Sequence, residues 1–275
     1  MSMTRESIWI RRFMTATGVA TLTAVLVVVA TFNANINRPE TSQLVFPKSI
    51  LFQIREDDKS AALSVIIADN GQKWFVVPRD AVVEDSPGRI TVAQSTETLD
   101  INSAARQISG VLDVEIEMSW QIDRLAISGL VDSVGGVTVV PLRTQIIAVS
   151  DDDFVELERG QAITLTGMYA SLYATQGGPQ QQLEAFTQVW EQLMLRTDGA
   201  NLRPVLVSVG SSSRATIAIP ELVMLFEKLQ SVQAIGGPRV QQLPTIDGTV
   251  EGKPGKYLTN AGRDLLLAAG VQPIA

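Results

Sequence analysis

The order of apolar and polar positions divides the chain into two parts. From Phe13 to Asn37 no residue is charged, and the apolar heart of this stretch, 19–32, contains the unbroken run Val25 to Ala30. As a helix rising ~1.5 Å per residue it would span ~37 Å, enough to cross a hydrocarbon layer of ~30 Å. Arg11 and Arg12 precede the run, so the positive-inside rule predicts a signal-anchor helix over 13–37. Residues 1–12 would then form a cytoplasmic tail, and 40–275 an extracytoplasmic domain held at the cell membrane by a single pass. Cleavage as a signal peptide is the competing reading, and Thr31 to Asn35 offers a poor small-x-small site for it. Pro39 ends the helix.

Beyond residue 40 the period changes repeatedly. Leu44–Ile54 reads as a first strand, and AALSVIIA at Ala61–Ala68 as a buried one. Asp69-Asn70-Gly71 is a turn signal, and Trp74–Val77 is the return strand of a hairpin. Helical spacing of Leu99, Ile101, Ala105 and Ile108 predicts a helix over Thr98–Gly110, stopped by Gly110. Val114–Met118 alternates and predicts a strand with one wet face. Further helices are expected at Asp123–Val134, Leu165–Ala174, Gln180–Leu195 and Pro220–Ser231, with a short strand at Val137–Val140. There is no internal repeat, and no linker long enough to split residues 40–275. Strands and helices interleave, which predicts an α/β domain, a mixed central sheet flanked by helices.

Composition narrows the chemistry. The 275 residues include no Cys and no His, which removes disulfides, thiolate and imidazole metal sites, cysteine nucleophiles and Ser-His-Asp catalysis. Arg5, Arg11, Arg12 and Arg38 against Glu6 leave residues 1–38 at +3. The remainder carries −10 of the total −7, a poor match to nucleic acid. What stays open is carboxylate, Arg/Lys, hydroxyl or Mg²⁺-assisted chemistry, or none.

Five constellations could carry it. Val77-Pro78-Arg79-Asp80 leaves the end of a buried strand, where α/β sheets collect ligands, and Arg suits bidentate phosphate contact. A surface Arg–Asp pair is the plainer reading of the same residues. Asp132-Ser133-Val134-Gly135-Gly136-Val137 runs from helix to strand, the reverse of a phosphate-cradling loop, so tight backbone packing explains its glycines better. Asp151-Asp152-Asp153 and Asp57-Asp58 read as solvated loops before they read as metal sites. Ser211-Ser212-Ser213 has no visible base and reads as a polar loop.

Two of these segments together resemble the LytR-CpsA-Psr family, whose domain reads SIPRD and then LVDALGGVxV. The counterparts are Val77-Pro78-Arg79-Asp80 and Leu130-Val131-Asp132-Ser133-Val134-Gly135-Gly136-Val137-Thr138-Val139. The family segment LxxGxxxLxGxxALxY is similar to Leu157 through Gly160, Leu165 and Gly167 to Ala170 and Tyr173. Leu243-Pro244, Gly255-Lys256-Tyr257 and Asp264-Leu265 resemble its closing segment. The resemblance covers roughly 44–270, and a single N-terminal anchor is typical of the family. It implies an extracytoplasmic α/β domain that holds a polyprenyl (pyro)phosphate lipid in an apolar pocket, with arginines, acidic residues and Mg²⁺ at the mouth. The reaction implied is transfer of a phosphorylated glycopolymer from that carrier to peptidoglycan.

Several positions depart from the family pattern. Its Arg-Ser-Asp-Thr motif reads Lys59-Ser60-Ala61-Ala62 here, so the metal-serving acid is Ala61. Its YxRxR and RxxRQQ runs align with Tyr173-Ala174-Thr175 and Gln182-Leu183-Glu184-Ala185, where no arginine remains. Arg79 and Asp80 stay as candidates for the lipid phosphate, with no confident catalytic or metal-ligating residue. The expectation is a catalytically degenerate partner in cell-envelope assembly, binding polyprenyl lipid or an active transferase of the same family. The alternative is an active transferase that uses Mg²⁺ and draws groups from Arg89, Arg106 or Asp57.

Overall fold

The computed structural model describes residues 45–84, 90–150, 152–197, 199–250 and 253–274. The expected tail and signal-anchor over 1–37, and the candidate Arg89, lie outside the described residues. Among the described residues no helix is long and apolar enough to cross a membrane.

The chain begins with β1 (Ser49–Arg55), β2 (Ala61–Ala68) and β3 (Lys73–Val77), then the short β4 (Val82–Glu84) and β5 (Ile90–Thr91). Helices α1 (Val92–Thr98) and α2 (Ile101–Leu112) lead to β6 (Met118–Asp123) and α3 (Arg124–Ser133). Next come β7 (Val137–Val139), β8 (Gln145–Ala148), β9 (Phe154–Leu157) and β10 (Ile163–Leu165). Helices α4 (Gly167–Thr175), α5 (Pro179–Arg196) and α6 (Gly199–Ser208) follow, then β11 (Ser213–Ala215) and α7 (Ile219–Ala234). The chain closes with β12 (Arg239–Gln242), β13 (Thr245–Val250), β14 (Lys253–Leu258) and α8 (Asn260–Ala268).

The central sheet has strand order β11-β6-β1-β2-β3-β12. β1 runs parallel to β6 and antiparallel to β2, and β3 runs antiparallel to β2 and parallel to β12. The sheet is therefore mixed, as the interleaved pattern predicts. Alternation sorts its residues onto two cores. Phe52, Val65, Trp74 and Trp120 face α3–α7, whereas Leu51, Ile66, Phe75 and Val77 face α1, α2 and α8. Six rings, those of Phe52, Trp74, Trp120, Phe186, Trp190 and Phe226, form a continuous cluster between sheet and helices, with centroids 5.0–6.4 Å apart.

Two predicted elements differ. The helix expected over Thr98–Gly110 is α2, Ile101–Leu112, whose start is set by Asp100 accepting from the Asn102 and Ser103 N–H groups at 2.9 and 3.0 Å, while α1, ending at Thr98, has no counterpart in the expected pattern. The strand expected over Val114–Met118 begins instead at Met118 and runs to Asp123. Its inward polar residues are satisfied sideways. The Gln121 amide donates to Gln53 Oε1 at 2.9 Å, and the Gln53 amide donates to Ser64 Oγ at 3.0 Å, a fully buried ladder across three strands.

Candidate functional site

The carboxyl ends of β1, β6 and β3 share one edge with the start of β2, since Arg55 pairs with Asp123 in register and with Ala61 across the β1–β2 turn. Pro78-Arg79-Asp80 continues from β3 at this rim, so the sequence expectation for the placement of Arg79 and Asp80 holds. Their partners are a separate matter. Arg79 donates to Glu56 Oε1 at 3.3 Å, and Asp80 pairs with Lys256 Nζ at 2.7 Å. That contact and the nearby Asp247 raise the Lys256 pKa.

The β1–β2 turn supplies more of the rim. Arg124, at the start of α3, is ion-paired with Asp57. Buried Arg55 pairs with Asp123 at 2.6 Å. Asp58 accepts the Ser60 N–H at 2.8 Å, and the neighbouring Ser60 holds its carboxyl below the usual range. The turn backbone is tied by Glu56 N–H to Ser60 O at 2.8 Å and by the Thr96 hydroxyl to Lys59 O at 2.8 Å. Arg55, Arg79 and Arg124 thus pair with Asp123, Glu56 and Asp57, and with Asp58 and Lys59 of the same turn the formal charges sum to zero. Sequence reasoning singled out Asp57 but missed Glu56 and Arg124, because their partners lie 23 and 67 residues away.

Beneath Arg79, Ala62, Leu63, Pro78, Gln182 and Gln242 enclose only about 10 Å³ of free space, room for about one water. Of segment 175–182, Gln182 lines this space. Gln182 donates to Thr175 O at 2.5 Å, and Gln176 exchanges bonds of 2.8 and 2.7 Å with the Ala148 N–H and carbonyl. Where the resemblance predicts arginines the chain places Thr175, Gln182 and Ala185, and the Gln182 amide is spent on the Thr175 carbonyl. A wider cleft of about 430 Å³ lies on the other side of Asp80, beside Thr91, Asp247 and Lys256.

The glycine corner is architectural. The Gly167 N–H, in the first turn of α4, donates to Asp132 Oδ1 at 2.7 Å. At Gly136, with φ +93°, an added Cβ would lie 2.9 Å from the Leu165 carbonyl oxygen. Two segments recognised separately in the sequence therefore lock onto each other. The remaining constellations stay structural as well. Val149 N–H bonds Asp153 O in the β8–β9 turn, Asp151 lies outside the described residues, and Ser213 Oγ accepts from Trp120 Nε1 at 3.0 Å. Arg106 donates to Ser103 Oγ at 2.9 Å and lies near Asp100, on a helix on the other side of the sheet from α3.

The divalent cation implied by the resemblance does not fit these residues. Position 61 carries a methyl group, Glu56 and Asp57 are spent on arginines, and among the described residues no group of three or more carboxylates converges.

No family model matches the chain, and no curated protein matches it. Solved structures do. TagV of B. subtilis is 18% identical at TM-score 0.61, covering 81% of this chain and 96% of its own. A LytR-Csp2A-Psr enzyme from Actinomyces oris is 16% identical at TM-score 0.62, covering 86% and 96%. TagT, solved bound to LI-WTA, is 16% identical at TM-score 0.61, covering 82% and 92%. With its mixed sheet, its two helical layers and its locked glycine corner, the chain has the LytR-CpsA-Psr fold.

Proposed function

We propose that this chain is a membrane-anchored, extracytoplasmic LytR-CpsA-Psr-type protein of cell-envelope assembly that has lost the transfer reaction. It acts as a regulatory or polyprenyl-lipid-binding partner of an active transferase. One observation carries the reading: Arg55, Arg79 and Arg124, the guanidinium groups described at this rim, are each engaged by one of the chain's own carboxylates. Transfer from a pyrophosphate carrier needs unspent positive charge where the leaving group develops its negative charge. A formally neutral rim supplies little of it. The amide at Gln182 cannot replace an arginine, since a hydrogen bond from a charged group contributes about 1.5–3 kcal/mol against about 1 for a neutral one.

A second reading, an active glycopolymer transferase, is favoured by Arg79 and Asp80 standing at strand ends, and by the likeness to TagT bound to LI-WTA. The full chain in detergent micelles, given undecaprenyl diphosphate and Mg²⁺, distinguishes the two. The first predicts no release of phosphate. Mg²⁺-dependent release that is abolished by Arg79→Ala would establish the second. Native mass spectrometry of the same preparation tests lipid binding separately: a bound polyprenyl phosphate supports the lipid-binding form, and its absence leaves protein contacts as the role.

A further inference from the structure

We propose that the free edge of β11 is a docking site for an extended segment of a partner protein, one in which apolar residues alternate with acidic ones, added to the central sheet as a further strand. Strands β6, β1 and β2 separate this edge from β3 and Arg79. The proposal goes beyond the rim and stands whether or not the transfer reaction is lost.

The backbone is set for it. β11 pairs with β6 on one side, and among the described residues no strand pairs with the other. The Thr216 N–H donates to Ser119 O at 3.0 Å, toward β6. Successive residues of an antiparallel strand turn their N–H and C=O groups to opposite sides, so those of Ala215 point outward, where a further strand would bond them. Side chains alternate as well. Ser213 Oγ meets the ring nitrogen of Trp120, and Ala215 and Ile217 pack on the core between sheet and helices, so these three face α6 and α7. Arg214 and Thr216 face the other way, where Thr216 shares a recess with Ser109 of α2.

The two sides of the edge differ in chemistry. On the helical side an open groove of about 490 Å³ lies between β11, α6 and the start of α7, lined by Leu206, Val207, Ile217, Ile219 and Leu222. Val207 and Ile219 are 42% and 36% exposed. On the other side Arg214 is exposed, and among the described residues no carboxylate pairs with it. In a strand laid against β11, residues facing the groove would therefore be apolar, and the residue between them, opposite Arg214, acidic. Strand addition takes affinity from main-chain bonds and specificity from alternate side chains, and this edge offers both. The other edge of the sheet does not: β12 shows Arg239, Gln241 and Gln242 to solvent, the polar kind of edge that resists added strands.

Fluorescence anisotropy tests this with the labelled peptide Gly-Ser-Val-Glu-Val-Glu-Val-Ser-Gly and the full chain in phosphatidylcholine nanodiscs, which leave no detergent to fill the groove. Saturable binding is expected, about tenfold tighter than for the same peptide with Lys in place of Glu. Val207→Asp, which puts a charge on the groove wall, should weaken binding about tenfold. Arg214→Glu should reverse the preference in favour of the Lys peptide. Ala215→Pro removes the outward N–H and no bond to β6, and should also weaken binding about tenfold. No saturable binding, an unreversed preference in Arg214→Glu, or unchanged binding in Val207→Asp would each overturn the proposal. Loss in Val207→Asp with full affinity in Ala215→Pro would reveal an apolar cleft that takes any greasy group, an isoprenoid chain included, and would refute strand addition. Dimerisation of the full chain in sedimentation velocity, abolished by Val207→Asp, would assign the edge to a second copy and overturn the proposal likewise. Should Ala215→Pro not fold, hydrogen exchange of wild type decides: saturating peptide should slow the Ala215 amide about tenfold, and unchanged exchange refutes the site.

Discussion

Trp190→Ala is the sharpest test of how the layer between sheet and helices is filled. Trp190 is buried on α5, and its ring meets Phe52, Trp74, Trp120, Phe186 and Phe226 at centroid distances of 5.5, 5.5, 6.4, 5.6 and 5.6 Å. An aromatic side chain of this size buries about 200 Å². At about 25 cal/mol per Å² that is about 5 kcal/mol, part of which alanine retains. The cavity left behind adds to the loss, because the five neighbours sit on three strands and two helices that cannot all move inward. The expected destabilisation is about 4–5 kcal/mol, the upper end of the usual range for Trp or Phe to Ala. Against a typical total of about 5–15 kcal/mol this is a large share. Guanidinium unfolding followed by far-UV circular dichroism would measure it. Leu125→Ala, at a side chain 73% exposed, serves as a control and should stay within about 0.5 kcal/mol. A Trp190→Ala loss below about 1.5 kcal/mol would refute the reasoning, because it would mean that this layer collapses freely and could equally open around an isoprenoid tail.

Other predictions follow from the same geometry. Gly135→Ala, at φ +76° with open space around it, should cost about 1 kcal/mol, and Gly136→Ala about 2–3, because its methyl also meets the Leu165 carbonyl; equal losses in thermal unfolding would contradict the tight corner. Asp132→Ala should cost about 1–2 kcal/mol by stripping α4 of its Gly167 N–H acceptor, measured as the shift in denaturant midpoint. Asp58 has a lowered folded pKa, so its contribution is present above the usual carboxylate range and fades as pH falls through the folded value. The melting curves of wild type and Asp58→Asn should therefore converge in acid, and curves that stay parallel would show that Ser60 does not hold the carboxylate. Burial, then the charge of Glu184, raises the Tyr173 pKa, so its contribution is intact below pH ~10 and declines above it. Tyr173→Phe should flatten that alkaline decline, and an unchanged slope would count against it.

The sequence by itself determined those parts of the fold whose cause is local. AALSVIIA could only be a doubly buried strand, and Asp69-Asn70-Gly71 tolerates the positive φ of the turn that follows it. The helices expected from Asp123 and from Gln180 start within a residue of those positions. The double glycine after Val134 announced a left-handed corner, and the Pro-Arg-Asp after β3 its place at the rim. The tertiary structure alone decided the rest. β6 escaped recognition because Ser119 and Gln121 are polar on a strand buried on both faces, and only the neighbouring Gln53 makes that burial tolerable. Asp100 interrupts a helical period that is continuous in apolar spacing, and hydrogen bonding decides there against periodicity. Above all, the state of Arg79 could not be read from its own segment. Whether a guanidinium is free for a phosphate or bound to a carboxylate depends on which turn the fold brings beside it, and Glu56 reaches it from 23 residues away, across the intervening strand β2.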